Sequence, residues 1–326
     1  MQGKEASEQE TKAKSNVGID VSKDWLDVHV LPAGERRRVP NIADGIRQLK
    51  RWLAHFDLAL VVIEATGKWH RPLQRSLAAA AMPVAVVDPF RVRMFAKAQG
   101  VLAKTDRLDA RTLAQFAAVM APPARAPEPQ MIEEMRELVV ARASAVEQQT
   151  ALKNQRSAAT VRFLQRQLDR RIERADHDIE ALDAAILERI KADEVLARRY
   201  TILISIPGIG FVAAATLLAS LPELGSSTVK QIAMLAGLAP IADQSGKRDG
   251  VRVVWGGRPS VRRILYLAAL TATRFNPDMK AFYARLTAAG KKPKAAIIAA
   301  ARKLAVLANT LISQDRTWLA QAPKHA

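Results

Sequence analysis

From Met131 to Arg199 the chain contains neither glycine nor proline. Because these two residues interrupt helices most strongly, the stretch predicts long continuous helices in the middle of the protein. Apolar residues recur within it at alternating spacings of three and four, as in a coiled-coil seam: Ile172, Ala175, Ile179, Leu182 and Ile186. The seam is short, and it fits packing on another helix of the same chain as well as it fits dimerisation.

The rest of the chain divides around these helices. Residues 1–15 are polar and lack the apolar core of a signal peptide, so we expect a disordered lead-in to a cytoplasmic protein. Residues 16–120 form a predicted first domain, and the proline-rich residues 121–130 form a linker. Predicted helices at 131–199, a second domain at 200–315 and a tail at 316–326 follow.

The first domain alternates short apolar runs with amphipathic segments. The runs predict strands at 17–21, 25–31, 36–40, 58–64 and 83–87. The segments at 42–53 and 71–81 have helical spacing. This order predicts an α/β domain in which a hairpin-led sheet continues into βαβ units, as in the ribonuclease H-like fold.

The composition points to a polyanionic partner. Lys and Arg number 50 against 32 Asp and Glu, which gives a net charge of +18. Nucleic acid is the expected partner for such a chain. A membrane surface is disfavoured, because the basic residues are spread along the chain and no apolar run approaches the roughly 20 residues that span a bilayer. The absence of cysteine excludes disulfides and thiolate metal sites.

Asp106 and Asp109 lie three residues apart in the segment KTDRLDA, at the start of a helical pattern. Carboxylates at this spacing share one helix face, and together they suit a hard divalent cation such as Mg²⁺. The alternative is that Asp106 is only an N-cap and that the helix dipole favours Asp109.

Two further acids interrupt apolar strands. Asp20 lies inside the first predicted strand, and Glu64 closes another one. An unpaired charge there costs several kcal/mol, so these positions indicate ligands, although a strand-end acid is also typical of a solvated rim. Asp24, Asp27 and Asp57 lie near turns or on an expected outer face, and we interpret them as solvated. The other four acids discussed above are Asp20, Glu64, Asp106 and Asp109. Four acids from two strands and one helix suit two metal ions roughly 4 Å apart, an arrangement that supports phosphoryl transfer.

The C-terminal third carries two glycine-rich elements. Ser205 to Ala213 reads SIPGIGFVA, which resembles a helix-hairpin-helix turn that approaches a phosphate, or else is a plain inter-helix turn.

Ser245 precedes a glycine, which is common turn chemistry, but positive charge surrounds it and suits attack on a phosphodiester. No G-x-S-x-G elbow and no nearby histidine support a Ser-His-Asp hydrolase. On charge alone we predict nucleic-acid contacts at Lys247, Arg252, Arg258, Arg262 and Arg263.

Taken in order, these segments resemble the insertion-sequence transposases of the 110/116/902 family, which a bridge RNA guides. The resemblance covers nearly the whole chain, and its motifs are VGIDVSK, IEATG, KTDRLDARTLA, LKNQ, SIPGIG, AGLAPIADQSG and PKAAIIAAARKL. The resemblance implies a RuvC-like domain whose four-acid set maps onto Asp20, Glu64, Asp106 and Asp109. It also implies a transposase domain whose nucleophilic serine maps onto Ser245.

The same resemblance implies a mechanism and partners. Mg²⁺, for which Mn²⁺ can substitute, would position the scissile phosphate, and Ser245 would attack it to give a serine–DNA intermediate. The acids and the serine would act as one composite centre. The implied partners are the double-stranded DNA of element and target, a structured bridge RNA, and further copies of the chain in a dimer or tetramer. A prokaryotic cytoplasmic protein associated with the nucleoid fits these partners.

Two other functions stay open from the residues alone. One is a structure-selective nuclease of the Holliday-junction-resolvase kind, which needs the four acids and no serine. The other is a non-catalytic nucleic-acid-binding protein that uses the basic surface and the turn containing Gly208 and Gly210.

Overall fold

The computed structural model describes residues 14–100, 106–241, 244–245, 248–249 and 253–319, and at 106–108, 244–245 and 248–249 it describes the backbone alone. The chain forms two compact units, residues 1–128 and 129–326. The predicted lead-in and tail lie largely outside the described residues.

The first unit is built on one mixed sheet. Its described strands are β1 (Ser15–Val21), β2 (Trp25–Leu31), β3 (Arg36–Pro40), β4 (Leu58–Glu64) and β5 (Val84–Val87). The strand order is β3-β2-β1-β4-β5. The first three strands are antiparallel, and β4 and β5 run parallel to β1. The predicted α/β domain with a hairpin-led sheet is therefore confirmed.

Four helices cover the two faces of this sheet in the described residues: α1 (Ala43–Leu53), α2 (Arg71–Ala78), α3 (Pro89–Ala98) and α4 (Asp106–Met120). Helices α1 and α2 pack on the face formed by Val17, Ile19, Val61 and Ile63. Helices α3 and α4 pack on the opposite face. Because side chains alternate along a strand, every second residue of β1 and β4 faces α4.

The second unit begins with a helical hairpin made of α5 (Gln130–Ala158) and α6 (Arg162–Lys191). The predicted long helices are therefore present. Contacts between the two helices form an antiparallel ladder that pairs Glu134 with Arg189, Arg142 with Asp183, Gln149 with Asp176, and Arg156 with Asp169. The predicted seam residues of α6 are half-buried, and Ile186 is fully buried. The hairpin partner of α6 is thus a helix of the same chain.

The remaining described helices of the second unit are α7 (Glu194–Ile204), α8 (Phe211–Ser220), α9 (Val229–Leu235), α10 (Pro259–Phe275), α11 (Pro277–Ala288) and α12 (Pro293–Ser313). Short strands lie between α9 and α10: β6 (Pro240–Ile241), β7 (Gln244–Ser245), β8 (Arg248–Asp249) and β9 (Val253–Val254). The base of the helical hairpin shares one core with these helices, through Ile132, Met135, Ile186 and Ile190.

Helix α12 corrects one expectation from the sequence. Its 21 residues are long and apolar enough for a membrane span by length and composition. Half of that window is buried in the protein, and Ala300, Leu304 and Ala308 are fully enclosed in the core. Small side chains let α12 pack closely against its neighbours, which accounts for its high hydropathy without a membrane.

Candidate nucleic-acid-processing site

Asp20 and Glu64 occupy matching positions on two neighbouring parallel strands. The register pairs Ile19 of β1 with Ile63 of β4, and each acid directly follows its isoleucine. Ile19 and Ile63 are fully buried on the face that α1 and α2 cover. By alternation, both carboxylates lie on the opposite face, the one that α4 covers. The predicted pair therefore lies at the edge of the sheet where the carboxyl ends of the neighbouring strands β1 and β4 meet.

Helix α4 lies directly against β1 at Gly18. A Cβ atom built on Gly18 would come within 2.7 Å of the Leu113 Cβ atom, and closer still to the backbone of Ala110 and Ala114. Only a glycine permits this approach. Asp109 precedes Ala110, so the close contact sets the first turn of α4 beside the strand that carries Asp20. Asp106 begins the same helix, one turn earlier, and its side chain lies outside the described residues.

The residues at this edge suit a magnesium ion by type and by face. In the described part of the chain, no group of three acidic or histidine side chains forms a ready metal cage. Mg²⁺ does not require one, because it usually binds through one or two carboxylates together with substrate phosphates and water. Asp20, Glu64 and Asp109 are partly buried acids, which are the donor type that Mg²⁺ prefers, and Asp20 and Glu64 lie on the same face of the sheet.

The structure corrects the expectation that Asp27 lies on an outer face. Asp27 of β2 pairs directly with Asp20 of β1, so both side chains lie on the face that α4 covers. Its carboxylate lies 3.4 Å from the Arg38 guanidinium and is only 15% exposed. A signal for this placement was present in the sequence, because Leu26, Val28 and Val30 alternate with Asp27 and His29 along the strand. Asp27 is therefore a further acid beside the predicted site.

His29 is buried next to this acid pair, and its Nδ1 atom has no hydrogen-bond partner among the described residues. Burial lowers the pKa of His29, and the positive charges of Arg36 and Arg111 lower it further. The histidine lines a pocket of about 280 Å³ with Asp27, Arg36, Arg37, Arg38 and Ala110. The sheet face next to the acids thus combines a neutral imidazole with a cluster of cations.

Ser245 lies in a short two-stranded element of the second unit. Strand β7 pairs with β8, and Ser245 is the Cα partner of Arg248. Strands β6 and β9 pair with each other through Pro240 and Val254, on either side of this segment in the chain. Ser245 therefore belongs to a segment of the chain that begins at β6 and ends at β9, and these two strands pair with each other.

The basic residues predicted as nucleic-acid contacts fall into two groups. Lys247 and Arg252 lie outside the described residues. Arg258 donates two hydrogen bonds to the Glu223 carboxylate at 2.6 and 2.7 Å, and a third to the Ser220 carbonyl at 3.0 Å. Arg262 donates to the Gly256 carbonyl at 2.8 Å, and Arg263 donates to Glu147 at 2.7 Å. These three guanidinium groups all have intramolecular partners, so their contact with nucleic acid stays a prediction.

The glycine-rich turn between α7 and α8 has one constrained and one open glycine. Gly208 has φ +108°, and its Cα faces Ala272, where a Cβ atom would come within 2.5 Å of the alanine side chain. Gly210 is the N-cap of α8, with φ −92° and no atom within 4 Å of an added Cβ. Packing explains Gly208, whereas Gly210 leaves the helix N-terminus accessible.

Comparison with known proteins matches both halves of the chain to transposases. Residues 17–163 match the DEDD transposase family of the insertion sequence IS110. Residues 200–284 match the transposase family IS116/IS110/IS902.

Individual relatives agree with these family matches. The pilin gene-inverting protein of Moraxella bovis is 28% identical over 320 residues, which cover 94% of this chain and 98% of the relative. Its counterpart in Moraxella lacunata has the same identity and coverage. An uncharacterized 42 kDa protein of the insertion element IS900 from Mycobacterium paratuberculosis is 31% identical over 161 residues, 48% of this chain and 38% of the relative.

The family matches fall on the elements that carry the acids and the serine. The first spans β1, β4 and α4, and the second spans the segment around Ser245. The chain therefore belongs to the IS110/IS116/IS902 family of transposases, enzymes that cut and rejoin DNA.

Proposed function

We propose that this protein is an RNA-guided transposase that moves an insertion sequence through a covalent serine–DNA intermediate. The observation that carries the acid half of the proposal is the matched placement of Asp20 and Glu64 at one sheet edge, beside the first turn of α4. That arrangement and the alternation of strands and helices fit a RuvC-like domain of the ribonuclease H-like class.

In this proposal Asp20, Glu64, Asp106 and Asp109 hold Mg²⁺, with two ions as the fullest occupancy. When bound, the metal supplies positive charge to the non-bridging oxygens of the scissile phosphate. The carboxylates orient the phosphodiester indirectly, by holding that charge at one edge of the sheet. Mn²⁺ accepts the same oxygen ligands and is expected to substitute.

Ser245 is the proposed nucleophile. Its Oγ atom forms a bond to phosphorus, and the bond from phosphorus to the 3′ oxygen breaks. The hydroxyl proton of the serine is lost, and the departing 3′ oxygen takes up a proton to become a free hydroxyl. Because the phosphodiester energy is kept in the serine link, attack by another 3′ hydroxyl rejoins the DNA and releases Ser245 without ATP.

The proposed partners follow from charge and family. The net charge of +18 suits two polyanions, the duplex DNA of element and target and a structured bridge RNA. Base pairing with the RNA chooses the sites, while the protein binds backbone and shape. The glycine-rich turn before α8 is a proposed phosphate contact of the helix-hairpin-helix kind. Strand exchange requires two cuts, so we propose a dimer or tetramer that acts in the cytoplasm, on the nucleoid.

The experiment that tests this function is a denaturing gel that detects a covalent protein–DNA adduct. Wild type, Ser245→Ala and Asp20→Asn are incubated with Mg²⁺, labelled element-end DNA and RNA transcribed from the flanks of the element. We expect an adduct in wild type that is absent from both variants. Omission of the RNA is expected to remove the adduct as well, because site choice depends on base pairing.

Two outcomes would replace the proposal. Metal-dependent cleavage without an adduct, unchanged in Ser245→Ala, would identify a structure-selective nuclease, for which the acids suffice. Binding of DNA and RNA with no cleavage under any metal, and the same binding in Asp20→Asn, would identify a non-catalytic nucleic-acid-binding protein. A third outcome is cleavage that is lost in Asp20→Asn but is the same with and without the RNA. That outcome would show that the bridge RNA has no part in the mechanism.

A further inference from the structure

The second unit contains a groove of about 730 Å³ whose lining residues include none of the predicted acids and not Ser245. Its walls come from α9, the paired strands β6 and β9, and helices α11 and α12. The volume is within the range of about 300–1,000 Å³ typical of pockets that bury a ligand. All lining residues belong to the described part of the second unit.

The floor of the groove is apolar because α12 has two apolar faces. One face, with Ala296, Ala300 and Leu304, is buried in the core. The other face, with Ala295, Ile298, Ala299 and Val306, lines the groove and is partly or fully exposed. A helix face of this kind loses water favourably when a flat apolar group covers it.

The rim of the groove is cationic. Lys291, Arg302 and Lys303 line it, and no acidic residue is among its lining residues. Within the described residues none of these three cations is ion-paired with a carboxylate, in contrast to Arg258, which is held by Glu223. Among the described residues, the groove therefore presents positive charge that no carboxylate pairs with, above an apolar floor.

An aromatic ring holds part of this charge in place. The Lys303 ammonium lies 4.6 Å from the Phe282 ring centroid, and the Arg285 guanidinium lies 5.4 Å from it. A cation–π contact orients a cation without neutralising it. Phe282 and Lys303 also line a second depression of about 380 Å³, together with Asp278 and Arg285. The ring therefore contacts Lys303, a cation of the rim, without neutralising its charge.

The groove lies at the base of the segment that carries Ser245. Pro240 and Val254, which pair with each other, are both groove residues. Residues 241–253, including Ser245, lie between them in the chain. A ligand in the groove is therefore held where the chain leaves toward the proposed nucleophile and where it returns.

We propose that this groove binds an unpaired segment of nucleic acid, with bases on the apolar floor and phosphates on Lys291, Arg302 and Lys303. An unpaired strand has both required parts, an exposed base with an apolar face and a regular series of anionic groups. A duplex keeps its bases stacked inside, so it offers only the phosphates. The choice of nucleic acid rests on the family of the chain and on its charge, and the link to Ser245 rests on the proposed function.

The test compares binding by two doubly substituted proteins of equal net charge. Arg302→Gln with Lys303→Gln removes two cations from the groove, whereas Arg274→Gln with Lys280→Gln removes two exposed cations that do not line it. Both are made in the Ser245→Ala chain, so the proposed attack by the serine cannot occur. Fluorescence anisotropy then measures binding of labelled single-stranded DNA, single-stranded RNA and duplex DNA of about 12 nucleotides.

We expect the groove variant to bind unpaired strands about 20-fold more weakly near 0.1 M salt, with a salt slope reduced by about 1.4, because each lost phosphate contact contributes about 0.7 for a single strand. The control variant is expected to keep the slope of the parent. Ala295→Trp and Ala299→Trp fill the floor without changing charge, and they are expected to weaken single-strand binding and spare duplex binding. The DNA and RNA arms show which strand the groove prefers.

Equal weakening in the groove and control variants would overturn the proposal, since only net charge would then matter. Unchanged single-strand binding in both tryptophan variants, each shown to be folded by its melting transition, would overturn it as well. If those variants instead lost binding of a labelled acidic amphipathic peptide, the groove would be a protein-docking site. Failure of the adduct assay leaves this comparison intact, because it measures binding in a chain without Ser245.

Discussion

Asp20 and Asp27 are direct cross-strand neighbours in the antiparallel pair of β1 and β2. Like charges opposite each other destabilise a sheet, so this pair favours a nearby cation. Arg38 lies 3.4 Å from Asp27 and supplies part of that charge. The proposed magnesium site would supply the rest on the side of Asp20.

Asp27→Asn is expected to raise the Mg²⁺ concentration for half-maximal adduct formation several-fold, because it removes negative potential without removing a proposed ligand. Asp20→Asn is expected to abolish the reaction at every Mg²⁺ concentration. Asp57→Asn, an exposed acid at the turn before β4, is the matched control and should leave the midpoint unchanged. A midpoint in Asp27→Asn equal to that of wild type would show that this acid has no electrostatic part in the site.

Gly18→Ala is expected to destabilise the first unit by about 3 kcal/mol, the upper end of overpacking costs, because the backbone of α4 cannot retreat from the added methyl group. Urea unfolding measures this loss. Gly210→Ala is the control, since its φ is ordinary and its surroundings are open, and its expected change is within about 0.5 kcal/mol. Similar losses at the two positions would mean that α4 does not depend on the close approach at Gly18.

The Arg258 and Glu223 side chains form a two-point ion pair whose members are 35% and 24% exposed. A double-mutant cycle with Arg258→Ala and Glu223→Ala is expected to give a coupling energy of about 1–2 kcal/mol by thermal unfolding, with solvent screening keeping it below the value for a buried pair. Glu223→Ala would also free the guanidinium. If Arg258 contacts nucleic acid, that single change is expected to strengthen DNA binding, whereas an unchanged affinity would limit Arg258 to a structural part.

His29 gives the first unit a pH dependence of defined sign. Its pKa is lowered in the folded protein by burial and by Arg36 and Arg111, while an unfolded histidine titrates near pH 6.5. Between those two pKa values the unfolded chain binds more protons, so the free energy of unfolding rises with pH. We therefore expect stability to fall as the pH drops below about 6.5, by at most about 1.4 kcal/mol per pH unit from this residue.

Chemical unfolding of wild type and His29→Gln checks this expectation. The measurements run from about pH 5 to about pH 8, because histidines titrate in that window. The variant should lose this part of the pH slope. His177→Gln, an exposed histidine of α6, serves as the control and should keep the slope of wild type. A slope that persists in His29→Gln would assign the pH dependence to groups other than His29.

The sheet and its acids were predictable because strand alternation is local. β1 and β4 carry continuous apolar runs broken by one acid each, and a parallel register brings the two breaks together. Helices α3 and α11 were not predicted, because each buries only a single residue in its span, Val92 and Met279 respectively. Such helices owe their form to capping, by Asp88 for α3 and by Asn276 for α11.

The face of the sheet on which Asp27 lies and the groove in the second unit could not be predicted from the sequence, for a different reason. Asp27 was assigned to the outside because the covering helix, α4, follows it by some 80 residues and its position depends on a glycine contact. The groove is made from Val229, Pro240, Phe282 and Ala299, which no spacing rule connects. Sequence periodicity describes one element at a time, whereas these features depend on which element covers which.

The antiparallel hairpin of α5 and α6 has a mechanical consequence. Its base is held in the core by Met135, Ile186 and Ile190, while its tip at Ala159 to Val161 extends beyond that core. At 1.5 Å per residue the arm is about 35 Å long from Met135 to its tip, so a tilt of about 10° at the base would displace the tip by about 6 Å. A small repacking around Ile186 and Ile190 in the core would therefore be amplified at the far end of the hairpin into a movement about as wide as a nucleotide.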